Sequence, residues 1–480
     1  MSISAPWSVQ AMAAAMGAEG AGPLPETVSG LSIDSRTIGR GEAFFAIHGD
    51  ARDGHDFVAA ALAAGAGLAV VAQDKREHMP IDAPLLVVPE VLSGLTDLAR
   101  ASRARHSGKV VAVTGSVGKT GTKEALRLAL APAGATHVSI ASYNNHWGVP
   151  LSVARMPASA QFAVFEIGMN HAGEITPLTR LVRPHVALVT TVEPVHLEYF
   201  GSIEAIADAK AEIFLGLEPG GAAVLNRDNA QYDRLKRAAE AAGARVVSFG
   251  EHPDADARLL KASLQPDSSA VHASVLGMEV TYKLGAPGRH VVQNSLAVLA
   301  AAALVGADLA LSGLALASLE PPTGRGQRLM LSLPGGGSAV LIDESYNANP
   351  ASMRAALALL GQAAVGRNGR RIAVLGDMLE LGPAGADLHR GLADPILAHD
   401  VDLVFCAGAL MKALWEALPS ERRGGYADSA AALESHVVTA IADGDAVMVK
   451  GSLGSKMGPI VKALAHRYRR RTPEQASAQG

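Results

Sequence analysis

A chain of 480 residues is more than one ordinary core organises and points to about three domains, which excludes a single small binding module. With 49% hydrophobic and 18% charged residues it is packed and globular, and aromatics at only 4% leave Ala, Val and Leu to build its interiors. A net charge of −4 asks for neither nucleic acid nor an anionic membrane surface, and the lone Cys406 excludes an internal disulfide and a cysteine zinc cage.

Residues 1–10 lack the basic start and apolar core of a signal peptide, so a cytoplasmic enzyme is expected. Residues 32–36, the run 43–47 and the apolar 85–88 then read as strands, with an Ala-rich helix over 57–66 stopped by Gly67. A helix over 92–105, apolar at Leu95, Leu98 and Ala101, links this unit to the next. Val110-Val111-Ala112-Val113 is a continuous apolar run of the kind a parallel strand buried on both faces requires, and a Gly-rich turn and a helix over 119–130 follow it. Strands at 163–167, 186–192 and 222–225, separated by helical segments such as 203–215, continue a doubly wound pattern.

Alternation at Val271, Ala273 and Val275, then Val280, Tyr282 and Leu284, predicts a small antiparallel insert within 257–284. The most apolar stretch, 295–307, ends at Asp308 before the roughly 18 residues a membrane span needs, so it reads as a buried helix and no span is expected. Pro321 and Pro322 fit neither a helix interior nor a central strand and mark a boundary. Beyond it, strands at 339–343, 371–376, 403–407 and 446–450 alternate with helices near 352–360, 387–397 and 457–466. No fixed-period repeat is present, and Arg467, Arg469, Arg470 and Arg471 read as complements to a helix C-terminus. The expected fold is α/β in three domains, over 1–90, 91–325 and 326–480, the middle one doubly wound.

Thr114-Gly115-Ser116-Val117-Gly118-Lys119-Thr120 follows a buried strand and opens a helix, the context a phosphate-binding loop requires. Glycines let backbone N–H groups approach a polyphosphate, the helix start adds positive potential, Lys119 brings charge to the β- and γ-phosphates, and the Thr120 hydroxyl can ligate Mg²⁺. The glycines stand closer together than in G-x-x-x-x-G-K-[ST], so ordinary P-loop switches and motors fit less well. Glu166 ends a strand, His196 lies just past another, and Lys210 sits within Ala207-Asp208-Ala209-Lys210-Ala211-Glu212. Strand ends are where open sheets place sites, although each residue alone also reads as a capping carboxylate, a satisfied histidine or a solvated helix lysine.

Taken together, the loop, Tyr143-Asn144-Asn145-His146-Trp147-Gly148-Val149-Pro150, Glu166, Val195-His196-Leu197-Glu198 and Ala209-Lys210-Ala211-Glu212-Ile213-Phe214 resemble the central domain of the Mur ligase family. Asp34-Ser35-Arg36, Asp53-Gly54-His55-Asp56-Phe57, Gly288-Arg289-His290, Asp343-Glu344-Ser345-Tyr346-Asn347-Ala348-Asn349-Pro350, Gly376-Asp377-Met378-Leu379-Glu380-Leu381-Gly382 and Lys450-Gly451-Ser452 extend the resemblance over nearly the whole chain. The Tyr-Asn-Ala-Asn-Pro and Gly-Asp-Met-Leu-Glu-Leu-Gly runs are similar to the branch that joins D-alanyl-D-alanine to UDP-N-acetylmuramoyl-tripeptide. The resemblance implies an ATP-dependent ligase of cytoplasmic peptidoglycan precursor synthesis, acting as a monomer on those two small molecules and without nucleic acid. It also implies a UDP-sugar domain over 1–90, an ATP domain over 91–325 and a Rossmann-like domain over 326–480.

Carried onto this sequence, the resemblance assigns ATP to Gly115, Ser116, Val117, Gly118, Lys119, Thr120 and Gly121, with Asn294 at the nucleotide and Arg325, Asp343, Tyr346 and Asn347 closing on it. Thr120 and Glu166 would hold a first Mg²⁺ and His196 a second, and Lys210 matches the lysine that the family carbamylates with CO₂. Ser35, Arg36, His48 and Gly49 would lie near the UDP moiety, and Asn144 and Asn145 join the substrate-binding set. Gly121, Tyr199, Glu344 and Leu453 depart from the family's usual residues, and none removes an implied ligand.

Joining a carboxylate to an amine in water needs activation, and no Ser-His-Asp or Cys-His arrangement is visible to form an acyl-enzyme. Phosphoryl transfer fits instead, through an acyl phosphate that the amine displaces. Three sites must then meet, which predicts closure of the third domain around residues 321–326. Two other readings stay open. A folyl-polyglutamate or other amino-acid ligase of the superfamily would share the centre without needing residues 34–36 and 53–55. An ATP-dependent switch would bind a partner through the outer domains.

Overall fold

The computed structural model describes residues 7–49, 52–140, 143–195, 197–334 and 336–468. Three sheets carry the described chain, beside a small pair formed by Trp7–Ser8 and Thr27–Val28. The first runs Glu19–Ala21, Leu85–Val88, Leu68–Ala72, Ala43–Phe45, Leu31–Ser32, parallel except for its first pair. Leu68–Ala72, buried throughout, is a strand that periodicity alone does not predict, because it reads as a continuation of the Ala-rich segment before it. The strand expected over 32–36 ends at Ser32. Asp34 N–H donates to Ser32 Oγ at 3.2 Å and Arg36 N–H to Asp34 Oδ1 at 3.0 Å, so short polar side chains capture the backbone into a turn.

Helix Val91–Arg105 leads out of this sheet, its start capped by Glu90, whose carboxylate accepts from the N–H groups of Leu92 and Ser93 at 2.8 and 2.6 Å. Leu95 and Leu98 of that helix share one core with Phe45 and Val70 of the first sheet and with Val149 and Leu151 of the next unit. Each such Leu contributes about 1.5–3 kcal/mol of burial, so the first two units are joined by packing and not by a loose linker.

The central sheet has nine strands, in the order Met278–Leu284, Ser269–Val275, Ala257–Leu264, Arg245–Gly250, Ala222–Asn226, Val186–Val189, Lys109–Thr114, Phe162–Glu166, Thr136–Val138. Its parallel part reaches from Thr136–Val138 to Ala257–Leu264. The alternating stretch is antiparallel, as expected, and continues this sheet to its edge instead of standing apart from it. From Lys109–Thr114 the chain moves to Thr136–Val138 on one side and later crosses to Val186–Val189 on the other. Connections therefore diverge at the carboxyl end of Lys109–Thr114, the place where doubly wound sheets open a crevice. The buried helix spans Arg289–Leu304, starting earlier than expected, and no helix among the described residues is long and apolar enough to cross a membrane.

The third sheet runs Gln327–Ser332, Ser338–Glu344, Ala446–Lys450, Arg371–Gly376, Leu403–Ala407, Arg423–Ala427, parallel after its first strand. The helix expected over 387–397 is two short ones, Gly385–Arg390 and Ala393–Ala398, because Pro395 has no N–H to continue the ladder but is tolerated in a first turn. Arg467 sits in the last turn of Gly458–Arg467, whereas Arg469, Arg470 and Arg471 lie outside the described residues.

Candidate active site

The helix Lys119–Leu130 starts where expected, directly after the glycine loop. Gly115 and Gly118 have φ of 147° and 85°. A Cβ on Gly115 would collide with the Thr190 hydroxyl, and one on Gly118 would lie 2.6 Å from Asn294 Nδ2. The loop hangs on the segment after strand Val186–Val189. Ser116 N–H donates to Thr191 O at 2.9 Å, Ser116 Oγ donates to Glu193 O at 3.0 Å and accepts from Glu193 N–H at 2.9 Å, and Thr190 Oγ1 donates to Val117 O at 2.6 Å. We expect Gly115→Ala to cost about 1–3 kcal/mol through left-handed strain and the Thr190 collision. Denaturant unfolding should show the lowered midpoint, and an unchanged midpoint would contradict this account of the loop.

Lys119 Nζ donates to Gly115 O at 2.7 Å, which holds the ammonium over the loop. Burial lowers its pKa, opposed by the nearby Glu166 carboxylate and assisted by Arg325. Glu166 is 1% exposed and is held from both sides: Thr120 Oγ1 donates to Oε2 at 2.9 Å and Asn144 Nδ2 to Oε1 at 2.7 Å. Asn145 takes a structural part as well, its Oδ1 accepting from Gly148 N–H at 2.9 Å to start helix Gly148–Ala154.

Lys210 lies in helix Ile203–Ala211 at 3% exposure. Burial, and then the charge of Lys119, hold its pKa well below the ordinary lysine value. Among the described residues its ammonium has no hydrogen-bonded or ion-paired acceptor. A charged lysine this deep is costly unless it is paired. His196 falls outside the described residues.

Facing the loop, the third domain encloses a cavity of about 550 Å³. Gly121, Asn144, Asn145 and Asn294 line its central-domain side, and Arg325, Tyr346 and Asn347 line the other. The Arg325 guanidinium stacks 4.2 Å from the centre of the Tyr346 ring. Asp343 sits behind the wall, 5% exposed, accepting from Ser345 N–H at 3.0 Å and Ser345 Oγ at 2.6 Å. Glu193, His290, Gln293 and Glu344 also line the cavity and were not singled out as site residues from the sequence. Glu193 stands just past a strand end beside the loop, a position topology could have flagged, and burial raises its carboxyl pKa. Lys450, 2% exposed, donates to Glu344 Oε2 at 3.2 Å and to Asn347 O at 3.0 Å.

Ser35, Arg36, His48 and Gly49 do not reach this cavity. They lie at the carboxyl ends of the first sheet. Arg36 Nε and Nη2 donate to Asp34 Oδ1 and Oδ2 at 2.9 and 2.7 Å, and a Cβ on Gly49 would meet the Trp147 ring at 2.8 Å, which puts the first sheet's loops against the segment carrying Asn144.

Comparison with known proteins agrees along most of the chain. Residues 27–103 match the Mur ligase family catalytic domain, 113–302 the Mur ligase middle domain and 328–453 the Mur ligase glutamate ligase domain. The UDP-N-acetylmuramoyl-tripeptide--D-alanyl-D-alanine ligase of Escherichia coli (strain K12) is 33% identical over 91% of this chain and 94% of its own. A crystal structure of MurF from Acinetobacter baumannii is 30% identical with a TM-score of 0.82, covering 96% of this chain and 99% of that one. The MurF ligase from Thermotoga maritima in complex with ADP is 25% identical with a TM-score of 0.74, covering 92% and 98%. A glycine loop at a divergent strand end, a third sheet facing it and matches to all three family domains in order establish that the chain belongs to the Mur ligase family.

Proposed function

We propose that this chain is the ATP-dependent ligase that adds D-alanyl-D-alanine to UDP-N-acetylmuramoyl-tripeptide in peptidoglycan precursor synthesis. The observation that carries the reading is a cavity with Lys119 on one wall and Arg325 and Tyr346 on the other, in a chain related along nearly its full length to ligases of that name. We further propose that the acceptor's UDP end lies in 1–90, ATP in 91–325 and the amine near 326–480, and that the enzyme works as a cytoplasmic monomer.

In this reading the tripeptide carboxylate attacks the γ-phosphorus of ATP, the bond to the β–γ bridging oxygen breaks, and ADP leaves. The dipeptide amine then attacks the acyl carbon, phosphate leaves, and the amine gives up its proton. Lys119 and the loop N–H groups hold the phosphates, and Arg325 stacked on Tyr346 covers the nucleotide. Closure keeps water from an intermediate that hydrolyses readily.

The donors around Glu166 suit Mg²⁺, a hard cation bound by one or two carboxylates plus hydroxyl, water and phosphate oxygens. Thr120 and Glu166 would hold one ion and His196 a second; when bound, the metal neutralises charge on the polyphosphate. A neutral Lys210 amine can take up CO₂, forming an N–C bond and releasing a proton, and the resulting carbamate anion would face the metal site where an ammonium would repel it.

Phosphate release measured with each substrate present or absent tests the reading. We expect sustained release only when UDP-N-acetylmuramoyl-tripeptide and D-alanyl-D-alanine are both present, with a small amount of hydroxylamine-trappable acyl phosphate from the first alone. Equal rates in all four combinations would replace the ligase by a switch, and equal stimulation by a single amino acid would move the chain to another branch.

A further inference from the structure

The first sheet presents the carboxyl ends of three adjacent parallel strands in a row. Leu31–Ser32 leads to Arg36, Ala43–Phe45 leads to His48 and Gly49, and Leu68–Ala72 leads through the short 3₁₀ turn Gln73–His78 to Lys75. Open α/β sheets gather their ligands along such a row. The first two positions belong to the nucleotide end of the proposed reaction. The third is tied to them by a shared carboxylate.

Asp53 Oδ2 lies 3.4 Å from His48 Nδ1 and 3.1 Å from Lys75 Nζ. Its Oδ1 accepts from His55 N–H at 3.0 Å and lies 2.6 Å from His55 Nδ1. The other ring nitrogen, Nε2, accepts from Ala72 N–H at 3.0 Å, so the His55 ring proton sits on Nδ1 and points at Asp53. Burial pushes the Asp53 carboxyl up, but hydrogen bonds from His55 and Lys75 outweigh it and hold the group well below the usual carboxylate range. One ionised oxygen therefore holds the Lys75 ammonium at the rim and lies beside the His48 ring, with 40% of the Lys75 and 74% of the His48 side chain exposed. An ion pair this exposed contributes little to stability. What it does is fix direction, because an ammonium has three donors and Asp53 engages one of them.

We propose that Lys75 binds the diphosphate of the UDP-linked acceptor, with Asp53 as the positioning residue that aims its ammonium at it. The proposal rests on the reading that the UDP end lies in the first domain. A compact ammonium is a suitable point charge for a diphosphate, and a neutral nucleoside offers it nothing to pair with.

The test uses the full-length enzyme with UDP and uridine as competitive inhibitors against UDP-N-acetylmuramoyl-tripeptide. In Lys75→Ala we expect the KM for the acceptor and the inhibition constant of UDP to rise about tenfold, the loss of one charge-assisted hydrogen bond. The inhibition constant of uridine, the KM for ATP and kcat should stay in place, and Lys75→Arg should recover most of the UDP affinity. If Lys75→Ala weakens UDP and uridine alike, the residue only shapes the loop and the proposal is wrong; an unchanged UDP constant overturns it as well. If UDP fails to compete with the acceptor in the unmutated enzyme, the placement of the UDP end falls first and the proposal with it.

Discussion

Lys119→Ala is expected to leave the fold intact and to lower ligation by at least about 10²-fold, the scale of losing one preorganised electrostatic donor. The side chain's only hydrogen bond in the described structure is to the carbonyl of Gly115 in its own loop, so its removal should shift the melting curve little. Its effect falls on the reaction. Burial lowers the lysine's pKa and Glu166 pulls it back, so an arriving polyphosphate completes the stabilisation of the charged form. Steady-state ligation and a thermal melt of the same preparation decide the matter: near wild-type turnover with an unchanged melt would remove Lys119 from the phosphate site.

Lys210→Ala should abolish turnover while ATP binding remains measurable. An ordinary lysine with pKa near ~10.4 is almost wholly ammonium at neutral pH and reacts poorly with CO₂. Here burial and the neighbouring Lys119 depress the pKa, so the neutral amine is populated at a lower pH than for an ordinary lysine, and its carbamate would replace a repelling charge by an attracting one. Alanine removes the lysine stem together with its carbamate and so leaves room for a small acid. A short carboxylic acid at high concentration should therefore restore part of the activity of Lys210→Ala, and none of that of Lys119→Ala. Full activity in the alanine variant would take Lys210 out of the mechanism.

The strand Lys109–Thr114 and helix Lys119–Leu130 were legible because each obeys one dominant rule: an unbroken apolar run for burial on two faces, then helical periodicity opened by a glycine turn. Elements whose neighbours supply the burial were not. Arg423–Ala427, with the sequence Arg-Gly-Gly-Tyr-Ala, is a strand only because Leu403–Ala407 lies beside it, and Tyr232–Ala241 buries just Tyr232, Leu235 and Ala239 of a polar helix. The same holds in the site. The glycine loop announces itself in sequence, but the enclosure of Lys210 beside Lys119, and the approach of Glu193 and His290 to one cavity, are products of long-range packing that no local pattern encodes.

The junction to the third domain carries a mechanical consequence. Gly326 N–H donates to Asp343 O at 2.8 Å and Tyr346 N–H to Gly324 O at 3.1 Å, so residues 324–326 are riveted to the third domain and travel with it. Pro322 O is tied in turn to Arg325 N–H at 2.9 Å, so bending is left to Glu320, Pro321 and Thr323, with φ of Pro321 and Pro322 locked near −65°. A joint with so few free torsions behaves as a stiff pin and not as a tether. It would guide Arg325 and Tyr346 along one narrow arc toward the phosphate loop, so that little chain entropy remains to be lost when the nucleotide is captured.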